Sequence, residues 1–326
     1  MNSAAPLSSA PLGELLRRRF LIIGGKGGVG RTTVAAALAL LFARRGRRVL
    51  LAQANAKERL SRLLGGPVVG TDLVRMRDKL WAVNMTPRAA LREYGLMVLR
   101  YKTVSNAVLE NRMVKYFLHA IPGLDEYAML GKAWFHTTEE AEAGAPRWDT
   151  VLLDGPATGH LLAMLRIPQA ILDAVPEGPL TRDARQARDL LGDPSRTSMI
   201  IATLAEDLPA NEAAELYRAA AEGLGISVGP LVVNQVFPDR FGDQSAPGRV
   251  LAALEGTSAA EDPVLGPPLR RAATARNRRQ LNERYLAKLA AEVPRPQVRL
   301  PFLFTTDFGA DEVEMLSRLL EEELAR

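Results

Sequence analysis

One ten-residue stretch constrains this chain more than any other: Gly24-Gly25-Lys26-Gly27-Gly28-Val29-Gly30-Arg31-Thr32-Thr33. The apolar run Phe20-Leu21-Ile22-Ile23 precedes it, and the helix-compatible run Val34-Ala35-Ala36-Ala37-Leu38-Ala39-Leu40-Leu41-Phe42 follows. A buried strand, a glycine turn and a helix N-terminus together make a phosphate cradle. The glycines let successive backbone N–H groups turn inward, and the helix dipole adds positive potential. Residues 25–32 follow the phosphate-loop pattern G-x-x-x-x-G-K-[ST] at every place but one, because Arg31 stands where the lysine belongs. The alternative is a bare turn with no ligand. Four glycines among residues 25–30 would be an entropically costly way to make an ordinary turn.

The rest of the composition narrows the class. At 326 residues, 47% hydrophobic and 24% charged, the chain has material for one large α/β domain or two smaller ones. No stretch approaches the ~20 apolar residues that span a bilayer. There are no cysteines, and His119, His136 and His160 are far apart, which argues against disulfides and against thiolate or histidine-rich metal sites. The start is Ala/Ser/Pro-rich without a signal-peptide pattern, so residues 1–18 are expected to be a flexible tail and the location cytoplasmic. Net charge is +5, carried by seven lysines and 35 arginines. With no nucleic-acid module beside the basic patches, that balance does not favour a nucleic-acid partner.

Taken in order, the chain alternates strand and helix patterns. Val49-Leu50-Leu51-Ala52 reads as a second buried strand, and Leu80-Trp81-Ala82-Val83-Asn84 as another. This alternation predicts an α/β fold, a mostly parallel central sheet with helices on both faces, with ligands beyond the carboxyl ends of the strands. Residues 86–147 are too many for a loop and read as a helical insertion. Leu91, Tyr94, Val98 and Tyr101 share one helix face there, as do Val114, Phe117, Leu118 and Ile121, and Tyr127-Ala128-Met129-Leu130 resumes the pattern. The insertion is either a packed subdomain or a surface for a client. Residues 148–153 form a strand ending in Asp154, the position of an acid that holds magnesium opposite the Thr32 hydroxyl. Further strands are expected at 197–203, 228–234 and 296–300, and helices at 211–224, 271–289 and 310–324. Residues 239–263 read as turn-rich and polar.

With these landmarks in order, the chain resembles the ArsA/guided-entry ATPase family of arsenite-pump ATPases and tail-anchored-protein targeting factors, within the MinD/ParA/ArsA group of dimeric P-loop ATPases. Lys26, just after the first glycine, marks the group's deviant Walker A loop. Residues 49–65, with Leu60-Ser61, align with its switch I. Asp154-Gly155-Pro156-Ala157-Thr158-Gly159-His160, with Leu165 and Pro168 following, is similar to its switch II, D-x-A-P-T-G-H. Asn234-Gln235 falls where the family's adenine-contacting asparagine lies, and Leu300-Pro301-Phe302 resembles its late proline loop.

The resemblance implies ATP or ADP with Mg²⁺. Gly25, Lys26, Gly27, Gly28, Val29, Gly30, Arg31, Thr32 and Thr33 would hold phosphates, Gly159 would sense the γ-phosphate, and Asn234, Pro301 and Phe302 would hold the base. Thr32 and Asp154 would serve the metal. Lys26 would act across a dimer, either a homodimer or a heterodimer with a paralogous ATPase. At the position of the family's water-orienting aspartate stands Asn55, which has no charge and cannot take a proton; Gln53 offers another amide two residues away. With Arg31, a planar fork replacing a point charge, this predicts slow or impaired turnover. With no cysteines, a zinc-bridged dimer and a cysteine-bound arsenic or antimony site are excluded. The alternatives are a chaperone-like targeting factor for hydrophobic or membrane-protein clients, and a ParA/MinD-like positioning ATPase.

Overall fold

A computed structural model describes residues 11–99, 124–141, 144–242 and 244–326. Among these, one sheet contains β1 (Phe20–Gly24), β2 (Val49–Ala54), β3 (Val74–Arg77), β4 (Leu80–Met85), β5 (Thr150–Asp154), β6 (Thr197–Leu204), β7 (Val228–Val236) and β8 (Gln297–Pro301). Their order is β3-β4-β2-β5-β1-β6-β7-β8. All neighbours run parallel except β3, which pairs antiparallel with β4 at one edge. This is the α/β, mostly parallel architecture that the strand–helix alternation predicts.

Every residue of β1, β2 and β5 is buried. A parallel sheet covered on both faces demands such unbroken apolar runs. Successive side chains leave a strand on opposite faces, so Phe20 and Ile22 enter one core while Leu21 and Ile23 enter the other. The first core is closed by α5 (Leu124–Thr138), α6 (Thr158–Ala174), α7 (Pro179–Gly192), α8 (Asp207–Arg218) and α10 (Gly266–Glu292). The second is closed by α1 (Pro11–Arg17), α2 (Arg31–Arg44), α3 (Leu60–Leu64) and α11 (Ala310–Ala325). Helix α2 is apolar nearly all round because it is sandwiched: residues 34–39 are wholly buried between the sheet and α11.

Several expectations need correction. Residues 11–17 of the supposed tail form α1, which buries Leu12 and Leu15 in the second core. The edge strand β3 was not anticipated. The turn-rich segment 239–263 contains α9 (Ala246–Leu254), capped by the Ser245 hydroxyl accepting from the Gly248 amide at 2.9 Å, and a 3₁₀ turn, Ser258–Ala260. Helix α8 starts four residues before the expected Asn211 and ends at Arg218, where a π-helical turn, Ala219–Gly223, continues the chain. Of the insertion, α4 (Pro87–Leu99) and α5 pack together, and Tyr127, Ala128, Met129 and Leu130 are buried. The face built from Val114, Phe117, Leu118 and Ile121 lies outside the described residues, as does Tyr101.

Candidate functional site

The site is assembled at the carboxyl ends of β1, β2, β5 and β7, where the chain leaves β1 between strands reached in opposite directions. The glycine loop needs its glycines for conformation and for clearance. Gly25, Gly28 and Gly30 have φ of 145°, 90° and 90°, a region that side-chain-bearing residues rarely adopt. A Cβ at Gly25 would also collide with the Ala202 carbonyl on β6, and one at Gly30 with the Asn234 amide. Gly30 is the N-cap of α2 with no side-chain cap. The amides of Arg31, Thr32 and Thr33 therefore begin a helix whose first turn has donors to spare.

Around this loop the expected residues fall into three groups. In the first group, Gln53 of β2 lies in register with Asp154 of β5. Asp154 Oδ2 accepts from Thr32 Oγ1 at 2.7 Å and from Gln53 Nε2 at 3.1 Å. Asp154 is buried, and this burial pushes its carboxyl above the usual range, against the two hydrogen bonds and the Arg31 charge. Arg31 folds back on its own loop, with Nη1 donating to the Gly25 carbonyl at 2.7 Å. Burial lowers its guanidinium below the ordinary arginine value, and Asp154 opposes that shift. The Thr32 hydroxyl and the Asp154 carboxylate in contact offer hard oxygen ligands, which suit magnesium.

The second group frames a cavity of about 250 Å³ lined by Gly30, Thr33, Asn234, Pro301 and Phe302, together with Gln235, Leu303, Phe308 and Leu316. Asn234 Nδ2 donates to the Val29 carbonyl at 3.0 Å, tying the end of β7 to the glycine loop. Its Oδ1 accepts from the Gln235 amide at 2.9 Å, which holds Gln235 at φ 55°. Phe302 stacks on Phe237 with centroids 4.8 Å apart and planes 15° apart, and Phe304 meets both edge-on.

The third group lies at the rim. Asn55 is exposed just past β2 at φ 49°, a left-handed conformation that Asn tolerates better than most residues. The loop after it is pinned to β4: Ala56 N–H donates to Asn84 Oδ1 at 3.2 Å, and Asn84 Nδ2 donates to the Ala56 carbonyl at 2.7 Å. Gly159 is the second residue of α6, with open space where a Cβ would stand. Lys26 is ion-paired within its own chain to Glu212 of α8. His160 Nδ1 lies 3.6 Å from Glu126 of α5, joining the segment after Asp154 to the helical insertion. Sequence reasoning did not find Glu212, Phe308 or Leu316, which come from distant helices and loops. Gln53 carried a visible signal, a lone polar residue in the apolar run Val49–Ala54.

Residues 18–177 match the sequence model of the anion-transporting ATPase family, ArsA. Together with the relatives below, this match supports an ArsA/GET3-family ATPase. It is 27% identical over 225 residues to the ATPase BagA of Mycobacterium tuberculosis, covering 68% of this chain and 66% of that protein. It is 24% identical over 234 residues to an arsenical pump-driving ATPase of Escherichia coli, covering 67% of this chain and 40% of that one. It is 27% identical over 161 residues to the ATPase GET3 of Kluyveromyces lactis, covering 47% and 46%. The chain therefore spans just under two thirds of the mycobacterial relative and less than half of the other two. The family match takes in the glycine loop, Asn55 and the whole segment from Asp154 to His160. Asn234, Pro301 and Phe302 lie beyond it, so their convergence on the same cavity is information that the match does not supply. Among the described residues, no helix is long and apolar enough to cross a membrane.

Proposed function

We propose that this ArsA/GET3-family chain binds ATP or ADP with magnesium and hydrolyses ATP slowly, using nucleotide state to reposition its helical insertion. The observation that carries this reading is the junction at Gly30: the N-terminus of α2, the Thr32–Asp154 contact and the cavity under Asn234 and Phe302 all meet there. A polyphosphate on the loop amides would place its base in that cavity, against flat aromatic and apolar walls. Thr32 and Asp154 would hold the cation, which supplies charge neutralisation for phosphoryl transfer.

Arg31 and Asn55 support slow turnover. Phosphoryl transfer relies on positioned charge, and a neutral amide stands on the loop that would orient water. The His160–Glu126 contact and the packing of α5 on α6 support a route from the site to the insertion. Dimerisation through Lys26, with a second copy or a paralogue, requires the lysine to leave Glu212 and take phosphate as its new partner. The targeting-factor reading draws on the likeness to GET3. A ParA/MinD-like membrane role is not favoured: the apolar face of α11, Val313, Leu316 and Leu320, is spent on the second core.

Calorimetry with ADP and Mg²⁺ tests the reading. The wild type binds, and Gly30→Val, which puts a branched side chain at φ 90° against Asn234, loses about 10–100-fold in affinity. Absence of ADP and ATP binding to folded wild type would end the proposal.

A further inference from the structure

Gln53 has two ends, and the structure uses only one. Strand β2 is central, held by β4 and β5 on its two sides. Alternation along it sends Leu50 and Ala52 into the first core, and Val49 and Leu51 into the second. Gln53 therefore emerges on the α2 face, which is also the face of Leu152 and hence of Asp154 on β5. There it is completely buried. Its Nε2 donates to Asp154 Oδ2, while its Oε1, on the same amide carbon, is buried with no hydrogen-bond partner.

A buried acceptor without a donor costs about 1–3 kcal/mol. A non-polar residue would have completed the run Val-Leu-Leu-Ala-x-Ala without that cost. The amide orientation follows from chemistry: reversing it would set Oε1 against the carboxylate oxygen of Asp154, acceptor facing acceptor. The unfilled acceptor thus lies beside the Thr32–Asp154 pair, away from solvent.

Magnesium dehydrates reluctantly and keeps several waters when held by one or two protein oxygens and phosphate. Each such water brings protons that need acceptors. Asp154 Oδ2 already accepts twice. Resting on the nucleotide reading above, we propose that Gln53 is a positioning residue of the cation site, its Oε1 accepting a hydrogen bond from a magnesium-bound water while its Nε2 orients Asp154. The amide thereby couples the β2 strand to cation occupancy one residue pair before Asn55, in a chain whose switch loop carries no acid at that point.

The test compares ADP affinity in excess Mg²⁺ with ADP affinity in EDTA, by calorimetry on the full chain, and reads the ratio. Partners outside the first coordination sphere typically contribute about 10–100-fold to metal affinity. Gln53→Leu is expected to leave the EDTA affinity within about twofold of wild type and to cut the Mg²⁺ ratio about tenfold. Gln53→Glu keeps an oxygen acceptor, loses the N–H donor and sets a second carboxylate against Asp154, a repulsion that a bound cation relieves, so it is expected to match or exceed the wild-type ratio. Electron paramagnetic resonance of Mn²⁺ with ADP should follow the same order, reporting cation binding without turnover.

A wild-type ratio in Gln53→Leu would overturn the proposal. So would a ratio in Gln53→Glu as low as in Gln53→Leu, because the N–H bond to Asp154 alone would then matter. Should Gln53→Leu fail to fold, Gln53→Glu decides: a ratio below wild type refutes the role of Oε1. Failure of the nucleotide reading looks different, since wild type would then bind no ADP in either buffer, and the inference would fall with it.

Discussion

Strands β2 and β5 lie side by side, with Gln53 opposite Asp154, yet the two loops that leave them are built differently. The β5 side keeps an acid, buried and shared with Thr32, and runs into α6 with a glycine at its second position. The β2 side has amides at its strand end, Gln53 and Asn55; its one acid, Glu58, is taken up by Ser61, and Asn84 clamps the loop backbone to β4. On the reading proposed above, one side would hold a charged ligand and cation. On that reading, the other lacks the group that would drive water onto phosphate. Under the proposed function, nucleotide binding and turnover are therefore separable in this chain, and each half can be altered alone.

The largest expected effect comes from restoring charge on the β2 side. Asn55→Asp with Arg31→Lys should raise single-turnover phosphate release by about 10²–10³-fold, the usual worth of one positioned group at the transition state. Aspartate also tolerates the left-handed backbone at position 55, so the change does not strain the loop. If release stays at the wild-type rate, the amide is not what limits turnover and the contrast between the two loops loses its meaning.

Removing charge on the β5 side should be milder and of opposite character. Asp154→Asn is expected to cut the Mg²⁺ enhancement of ADP binding about tenfold. The apo protein should meanwhile melt higher at neutral pH. The sign follows from burial, which raises the Asp154 pKa and so penalises the charged form in the fold. That penalty is absent at low pH and grows as pH rises through the raised value, so the gap in melting temperature should widen with pH. A lower melting temperature throughout would mean that Asp154 stabilises the empty site.

The smallest effect on the monomer should come from Lys26→Ala. Its partner Glu212 is partly exposed, and such pairs contribute about 0.2–1 kcal/mol. Monomer stability and ADP affinity should barely change, while ATP-dependent association measured by light scattering should be lost. Unchanged association in the variant would remove the trans role from Lys26.

Much of this could be read from residue order, for a physical reason. Buried parallel strands are unbroken apolar runs, so β1, β2 and β5 announced themselves. The glycine loop did so as well, because a left-handed turn at a helix start leaves few residue choices. Strand β3 was illegible: Val74–Arg77 is a half-exposed edge carrying two arginines, and pairing with β4 defines it more than its composition does. Helix α9 hid behind Pro247 and Gly248, which read as turn residues but occupy its first turn. The site divided the same way. Loop residues and Asp154 followed from local pattern, whereas Glu212, Phe308 and Leu316 reach it only through tertiary packing. The expected tail shows the opposite error, since Leu12 and Leu15 find the second core across an Ala/Ser/Pro-rich context.

The central claim is that this chain holds nucleotide firmly and turns it over slowly. The most direct measurement mixes wild-type protein in excess over labelled ATP with Mg²⁺, and follows bound nucleotide and released phosphate in the same samples. A variant lacking the Thr32 hydroxyl serves as the contaminant control. The account predicts near-complete capture of ATP, with phosphate appearing at least about 10²-fold more slowly than the ~10 s⁻¹ of an ordinary enzyme. Phosphate release near that ordinary rate, or no captured ATP at all, would contradict it.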